Sequence, residues 1–260
     1  MRALGTLAPA LALAALACGP VPMPADAFLT APDLLDEMTL LRSRVRSLRA
    51  AGRVDHFGEE QRVQGRAFVF LESPCRLRID VLSPFGTPLS VLTVDGDDFA
   101  LADHRAGRFF AGPAQPCNIA RLVQVPLEPE DAVRILVGDA PIISGEREIR
   151  WLDRGRYRVT VRDGPRRQIL DVDPDPRSLQ LRHSRITDER GVVIEVRYDR
   201  WRPVGRAFIP HEIRLSMPRE KADVLLRYDD GAVEINVGLP DDAWKREFPP
   251  DAAVEKVFCP

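Results

Sequence analysis

From residue 51 onward, most of the sequence alternates between apolar and polar side chains in short segments that end at turn residues. Residues 76–81 alternate strictly, which is the pattern of a strand with one buried face. Turn sequences such as Asp95-Gly96 separate the segments, and tight turns of this kind join antiparallel strands. Further strands are predicted at residues 64–71, 89–94, 99–102, 108–110, 148–152, 157–162, 168–172, 179–186, 192–198, 208–217, 223–228 and 233–237. The pattern therefore predicts an antiparallel β-meander.

Three segments carry helical patterns instead. Thr30 and Asp33 form a helix-start sequence. An apolar stripe follows at spacings of three and four, formed by Leu34, Met38, Leu41, Val45 and Leu48. The arginines interspersed with this stripe, Arg42 among them, are predicted to lie on a solvated helix face. Two shorter helices are predicted at residues 118–124 and 128–137. Because a single sheet of this many strands tends to curl, we expect a strongly curved sheet with helices over one face.

The composition argues against several classes of function. The formal net charge is −2, so there is no basic excess of the kind that nucleic-acid binding requires. Cys75, Cys117 and Cys259 include no C-x-x-C spacing, and one disulfide with one cysteine left over is the expected count. The four histidines are scattered singly. No nucleophile, phosphate-loop or metal motif is recognisable, so we predict no catalytic residue, no cofactor and no metal.

The N-terminus has the layout of an export signal that closes at Cys18. Arg2 supplies the positive charge, an apolar run covers residues 4–17, and the small residues Ala15 and Ala17 precede the cysteine. A cysteine at this place resembles the lipobox of bacterial lipoproteins, in which the cysteine sulfur takes a diacylglycerol. The alternative is cleavage at the A-x-A pattern of residues 15–17, which would give a secreted protein with a free cysteine. The predicted division is a signal peptide at 1–17, a lipidated cysteine and Pro-rich tether at 18–29, and a single domain at 30–258.

Several motifs resemble the LolA- and LolB-like outer-membrane lipoproteins. Residues 78–89 are similar to that family's strand–Pro-x-Gly turn–strand, and residues 112–141 are similar to its two middle helices. Residues 209–213 and 233–237 are similar to its late strands, and residues 244–254 to its closing motif. The resemblance covers most of residues 33–258 in the same order. It implies a mainly β fold, an unclosed antiparallel β-barrel of about 11–14 strands with helices as a lid.

The resemblance also implies a function and a set of site residues. The function is binding of acyl chains of lipoproteins or another lipid in a hydrophobic cavity, without covalent chemistry, by a monomer anchored to the periplasmic face of the outer membrane. Phe85 corresponds to a residue that enters the membrane, and Cys75 pairs with Cys117 in a disulfide. The cavity-lining candidates are Phe68, Phe70, Leu77, Ile79, Val81, Leu136 and Leu181.

Two alternatives to lipid binding remain open at this stage. The domain would otherwise be a non-catalytic component of envelope assembly that binds a protein partner, or a hydrolase with an unrecognised site. The segment at residues 148–198 makes the domain longer than the receptor of the family. In this respect the chain resembles uncharacterised LolB-related lipoproteins more than the receptor itself.

Overall fold

A computed structural model of the chain, which describes residues 19–58, 62–123, 125–240, 242–245 and 248–259, contains three α-helices and one sheet of fourteen strands. The helices are α1 (Ala31–Ser43), α2 (Pro116–Val123) and α3 (Pro129–Leu136). The strands are β1 (Ser47–Phe57), β2 (Arg62–Glu72), β3 (Arg76–Leu82), β4 (Pro88–Asp95), β5 (Asp98–Asp103), β6 (Arg108–Pro113), β7 (Glu146–Leu152), β8 (Arg156–Asp163), β9 (Arg166–Val172), β10 (Leu181–Asp188), β11 (Gly191–Val204), β12 (Ala207–Met217), β13 (Ala222–Ile235) and β14 (Val254–Lys256).

The strands lie in the order β14-β6-β5-β4-β3-β2-β1-β13-β12-β11-β10-β9-β8-β7. All neighbours are antiparallel except β14, which pairs in parallel with β6. β1 pairs with β2 on one side and with β13 on the other, so the two halves of the chain meet in the middle of the sheet. Within the described residues the outermost strands, β7 and β14, do not pair with each other. The prediction of a mainly β, unclosed antiparallel barrel of 11–14 strands with helices as a lid is confirmed.

Strand β13 differs from the prediction because it joins two predicted strands into one. Tyr228 faces Gly52 of β1, and Val233 faces Ala50, so the four residues between Tyr228 and Val233 bulge out of the pairing. The Asp229-Asp230-Gly231 sequence, which separates the strands predicted at 223–228 and 233–237, lies in this bulge. Pairing with β1 resumes beyond it, so β13 pairs with β1 from Phe57 to Leu48.

The helices cover the inner face of the sheet. Thr30 caps α1 by accepting a hydrogen bond from the backbone of Asp33, and the helix buries Leu34 and Met38 completely. These side chains share one hydrophobic core with alternate residues of the strands, such as Val69 of β2. Among the described helices, none is both long and apolar enough to cross a membrane.

The disulfide joins a different pair of cysteines from the one predicted. Cys117 at the start of α2 is bonded to Cys259, with Cα atoms 5.9 Å apart, and Cys75 is a free thiol. The predicted Cys75–Cys117 bond is wrong because Cys75 lies in the turn between β2 and β3, whereas the C-terminal segment lies beside β6. There β14 extends the sheet, and the Val257 amide donates to the carbonyl of Ala111 at 2.9 Å. This pairing carries Cys259 to the beginning of α2.

Candidate functional site

An apolar cavity lies between the sheet and the lid, which consists of α2, α3 and residues 125–128 between them. The space inside it that water-sized molecules can occupy is about 110 Å³. Its lining residues are Val54, His56, Val63, Ala67, Val69, Leu77, Ile79, Val81, Leu92, Ile119, Val125, Leu127, Ala132, Ile135, Leu136, Ile213, Leu215, Val224 and Leu226. Of these described residues only His56 is polar. Such a lining favours a hydrocarbon group over a polar ligand.

Four of the predicted lining residues, Leu77, Ile79, Val81 and Leu136, lie on the cavity wall. The three strand residues occupy alternate positions of β3, which turn toward the lid. Whether they contact a ligand stays a prediction. Leu181 is completely buried in the core but does not line the cavity.

The prediction that Phe68 and Phe70 line the cavity is wrong by one position. Both residues lie on the outer face of β2, and Phe68 lies under the guanidinium of Arg66 at 5.1 Å. Their neighbours Ala67 and Val69 line the cavity instead. Residues 68–71 are all apolar, so this segment alone does not indicate which of its residues face the cavity. Arg66 lies on the same face of the strand as Phe68 and Phe70, and its charge marks that face as the outer one.

The lid is fixed to the body of the protein at both ends. At its start, Cys117 of α2 is bonded to Cys259. At its end, the last residue of α3 and the loop that follows are held by the sheet: the Tyr228 hydroxyl donates to the carbonyl of Leu136 at 3.3 Å, and the Tyr198 hydroxyl donates to that of Asp139. The middle of the lid, between these two attachments, contacts the sheet through the apolar residues around the cavity.

The side chain of Arg42, on α1, also holds the end of the lid. Its Nε donates to the carbonyl of Gly138 at 3.3 Å, and its Nη2 donates to the carbonyls of Ser178 and Leu179 at 3.0 and 3.1 Å. The guanidinium also lies 4.8 Å from the ring centroid of Trp201. One buried side chain thus connects α1, the end of the lid and the loop before β10.

The burial of Arg42 contradicts its predicted place on a solvated helix face, because the side chain is only 6% exposed. Burial lowers the pKa of Arg42 to about 10, while the charge of Asp139 acts in the opposite direction. The guanidinium therefore remains charged near neutral pH. The spacing contained a signal for this position, since Arg42 follows Leu34 and Met38 at intervals of four on the same helix face.

Gly138 makes the sharp exit from α3 possible. Its φ of +89° lies in the left-handed region that favours glycine. A Cβ atom at this position would meet the ring of Trp201 and would come within 2.8 Å of Pro210 Cδ. The end of the lid therefore lies directly against β11 and β12 only because residue 138 has no side chain.

Phe85 is displayed at the tip of the turn between β3 and β4, where it is 95% exposed. The Ser83 hydroxyl accepts hydrogen bonds from the amides of Phe85 and Thr87 at 3.2 and 3.1 Å, and the Gly86 amide donates to the Ser83 carbonyl at 2.9 Å. These bonds hold the backbone of the turn, which presents the ring of Phe85 to the solvent. Entry of Phe85 into a membrane stays a prediction, and Cys18, the predicted lipid anchor, lies outside the described residues.

The acidic residues at the end of β9 are neutralised by arginines. Asp171 accepts two hydrogen bonds from Arg158 at 2.6 and 2.8 Å, and Asp173 forms an ion pair with Arg156 at 2.6 Å. In the part of the chain that the structure describes, no three histidine, cysteine or acidic side chains gather in a way that could hold a metal ion. These carboxylates belong to cross-strand ion pairs on the outer face of the sheet.

The open antiparallel sheet, the helical lid and the apolar cavity beneath it define a LolA-like fold. A DUF1329 family protein from Desulfovibrio piger has a TM-score of 0.56 at 13% identity, and the match covers 82% of this chain and 95% of that one. A LolA superfamily protein from Nitrosomonas europaea has a TM-score of 0.52 at 12% identity, covering 84% and 99%. At these identities the likeness establishes the fold alone. No protein-family profile and no curated protein sequence matches the chain.

Proposed function

We propose that this protein is an envelope lipoprotein that binds the acyl chains of lipoproteins or another lipid in the cavity under its lid. The observation that carries the proposal is the lining, in which every described residue except His56 is apolar. Each methylene group that moves from water into such a space contributes about 0.8 kcal/mol. The proposal includes attachment at Cys18 to the periplasmic face of the outer membrane, a tether up to residue 29 and one binding domain at 30–258.

The cavity must enlarge to admit an acyl chain. Ligand pockets have volumes of about 300–1,000 Å³, whereas the space available here is about 110 Å³. The disulfide and the contacts around Gly138 hold the two ends of the lid, so we assign the movement to its middle. Val125 and Leu127 of the middle of the lid line the apolar cavity, and a hydrocarbon chain can replace apolar contacts there without leaving a polar group unpaired. We further propose that Phe85 contacts a lipid surface during transfer, since its ring is exposed on a fixed turn.

Native mass spectrometry tests acyl-chain binding directly. A Cys18→Ser variant, exported to an oxidising periplasm, keeps the domain and removes the anchoring sulfur. After incubation with palmitate or with a diacylated lipopeptide, we expect adducts of the probe's mass that disappear on organic extraction. A clean protein mass after both incubations would contradict the proposal and would favour the envelope component that binds a protein partner.

A matched pair of substitutions separates the cavity from the outer face. Ile79→Gln places an amide in the cavity wall, and Phe68→Gln places the same amide on the outside of the adjacent strand. Burial of an unpaired amide costs about 1–3 kcal/mol, so Ile79→Gln should weaken probe binding by roughly 5- to 150-fold. Phe68→Gln should leave it unchanged. Circular dichroism of both variants checks that the fold is retained.

A further inference from the structure

The tether, residues 19–29, is bound to one end of the sheet. The Val21 amide donates to the carbonyl of Asp153 at 2.9 Å, and Trp151 Nε1 donates to the carbonyl of Val21 at 2.9 Å. Farther along, the Phe28 amide donates to the Tyr157 hydroxyl at 3.1 Å, and the two rings meet edge to face. Two separate points of attachment therefore fix the tether to the turn between β7 and β8.

This attachment limits how far the protein can stand from its anchor. Cys18 lies three residues before Val21. A fully extended chain spans at most about 3.6 Å per residue, so Cys18 lies within about 11 Å of Val21. If Cys18 carries the lipid, the β7–β8 end of the sheet lies at the membrane surface for as long as Val21 stays bound.

The same end of the protein exposes apolar side chains. Val21 is 48% exposed, Met23 is 51% exposed and Leu29 is 76% exposed, although all three belong to a segment fixed to the domain. Trp151 lies beside Val21, and its indole N–H is bonded to the carbonyl of that residue. Exposed apolar residues next to a lipid anchor, with an indole alongside, fit the interfacial region of a bilayer.

Phe85 lies at the opposite end of the sheet. From β7 through β13 and β1 to β3, neighbouring strands are antiparallel, so the strand direction alternates along the sheet. The β7–β8 turn therefore lies at the end of the sheet where β1 and β3 begin. The turn that carries Phe85 follows β3, and a strand of seven residues spans about 23 Å. The ring of Phe85 and the tether therefore lie at opposite ends of the strands.

From this arrangement we propose that the protein stands on its anchoring membrane on the β7–β8 end, with Val21, Met23 and Leu29 at the lipid surface and Phe85 directed away from that membrane. This inference rests on the lipid anchor included in the proposed function. While the tether is bound, Phe85 contacts partners other than the anchoring bilayer. Phe85 reaches its own membrane only after Val21 leaves Trp151 and Asp153.

Fluorescence quenching in vesicles tests the orientation. The lipidated chain in a Cys75→Ala background accepts a single environment-sensitive fluorophore at Met23→Cys or at Phe85→Cys, because Cys117 and Cys259 are bonded. The vesicles contain phosphatidylethanolamine, phosphatidylglycerol and a lipid with a nitroxide on its headgroup. We expect the label at position 23 to lose most of its fluorescence and the label at position 85 to lose none. Quenching at 85 alone, at both positions or at neither would overturn the orientation and leave acyl-chain binding intact.

A longer tether provides the matched control. A flexible Gly/Ser insertion of about twelve residues between Gly19 and Pro20 adds up to about 40 Å of reach. The domain can then turn over, and we expect quenching at position 85 to appear. Persistent absence of quenching at 85 in this variant would overturn the role assigned to the tether's length. Mass spectrometry of Cys18 comes first, since a cysteine without diacylglycerol would overturn both the orientation and the proposed anchor.

Discussion

Cys117 and Cys259 connect the first turn of the lid to the segment that follows the last strand, across a sequence separation of 142 residues. The bond closes the part of the chain from α2 to the segment after β14 into one covalent loop, with β14 already paired to β6 beside it. It therefore acts on two structures at once, because it fixes the start of α2 and retains the strand that extends the sheet edge.

Loss of this disulfide should destabilise the protein more than loss of the other cysteine. For a loop of this length the chain-entropy model gives about 5 kcal/mol, so Cys259→Ser should lower the free energy of unfolding by up to roughly that amount. Cys75→Ser is the control, and it should change stability little because Cys75 is a free thiol. Urea denaturation with and without reductant measures both effects. Equal losses for the two variants would contradict the pairing.

Gly138→Ala should cost about 2–4 kcal/mol, because it combines left-handed backbone strain with overlap against Trp201 and Pro210. Gly107→Ala is the matched control. Gly107 also has a positive φ, +62°, but a Cβ there meets nothing within 4 Å, so only the strain of about 1 kcal/mol remains. Thermal unfolding of the two variants separates the overlap from the strain. A cost for Gly138→Ala no larger than that for Gly107→Ala would show that the overlap relaxes freely.

Arg42→Met should loosen the end of the lid. The substitution keeps an apolar stem in the helix but leaves three carbonyl oxygens without the guanidinium, at a cost of roughly 2–4 kcal/mol. Amide hydrogen exchange at Gly138 and Asp139 should accelerate more than exchange in the central strands. Arg44→Met, at the exposed end of α1, is the control and should leave both rates unchanged.

Acid should weaken the ion-pair network on the outer face of β10 and β11. Burial alone would raise the pKa of Glu195, but hydrogen bonds from Arg185, Arg197 and His183 outweigh it and lower the pKa from 4.5 to about 2. Because the unfolded chain takes up the proton first, this contribution to stability is complete above about pH 5 and disappears as the pH falls toward 2.

The Glu195→Gln variant tests this pH dependence. Solvent screening limits the contribution of Glu195 to about 1 kcal/mol. Denaturation midpoints measured between pH 2 and 6 should therefore fall less steeply with acid in Glu195→Gln than in the wild-type protein. Asp199→Asn, whose side chain is 76% exposed, should follow the wild-type curve. If the midpoint of Glu195→Gln falls with acid as steeply as that of the wild-type protein, the carboxylate of Glu195 does not contribute to the pH dependence of stability.

The sheet was predictable from the sequence because its information is local. Alternation within β3 and the turn residues after each strand identify strands without reference to distant residues. The Cys117–Cys259 bond was not predictable in this way, since it depends on where the C-terminal segment crosses to β6. Likewise, the alternation of β3 indicates that Leu77, Ile79 and Val81 share a face, but the volume between that face and the lid depends on side chains from six strands and two helices.

The pairing of β1 with β13 has a consequence for how the chain acquires its structure. Leu48 faces Ile235, so β1 waits for a partner strand that is made much later in synthesis. Contacts between residues so distant in sequence slow folding, because the intervening chain must first be brought together. A chain that leaves the ribosome or a translocation channel from its N-terminus holds β1 with one edge open until residue 235 has emerged. Until then that edge has unpaired backbone groups that another chain can pair with.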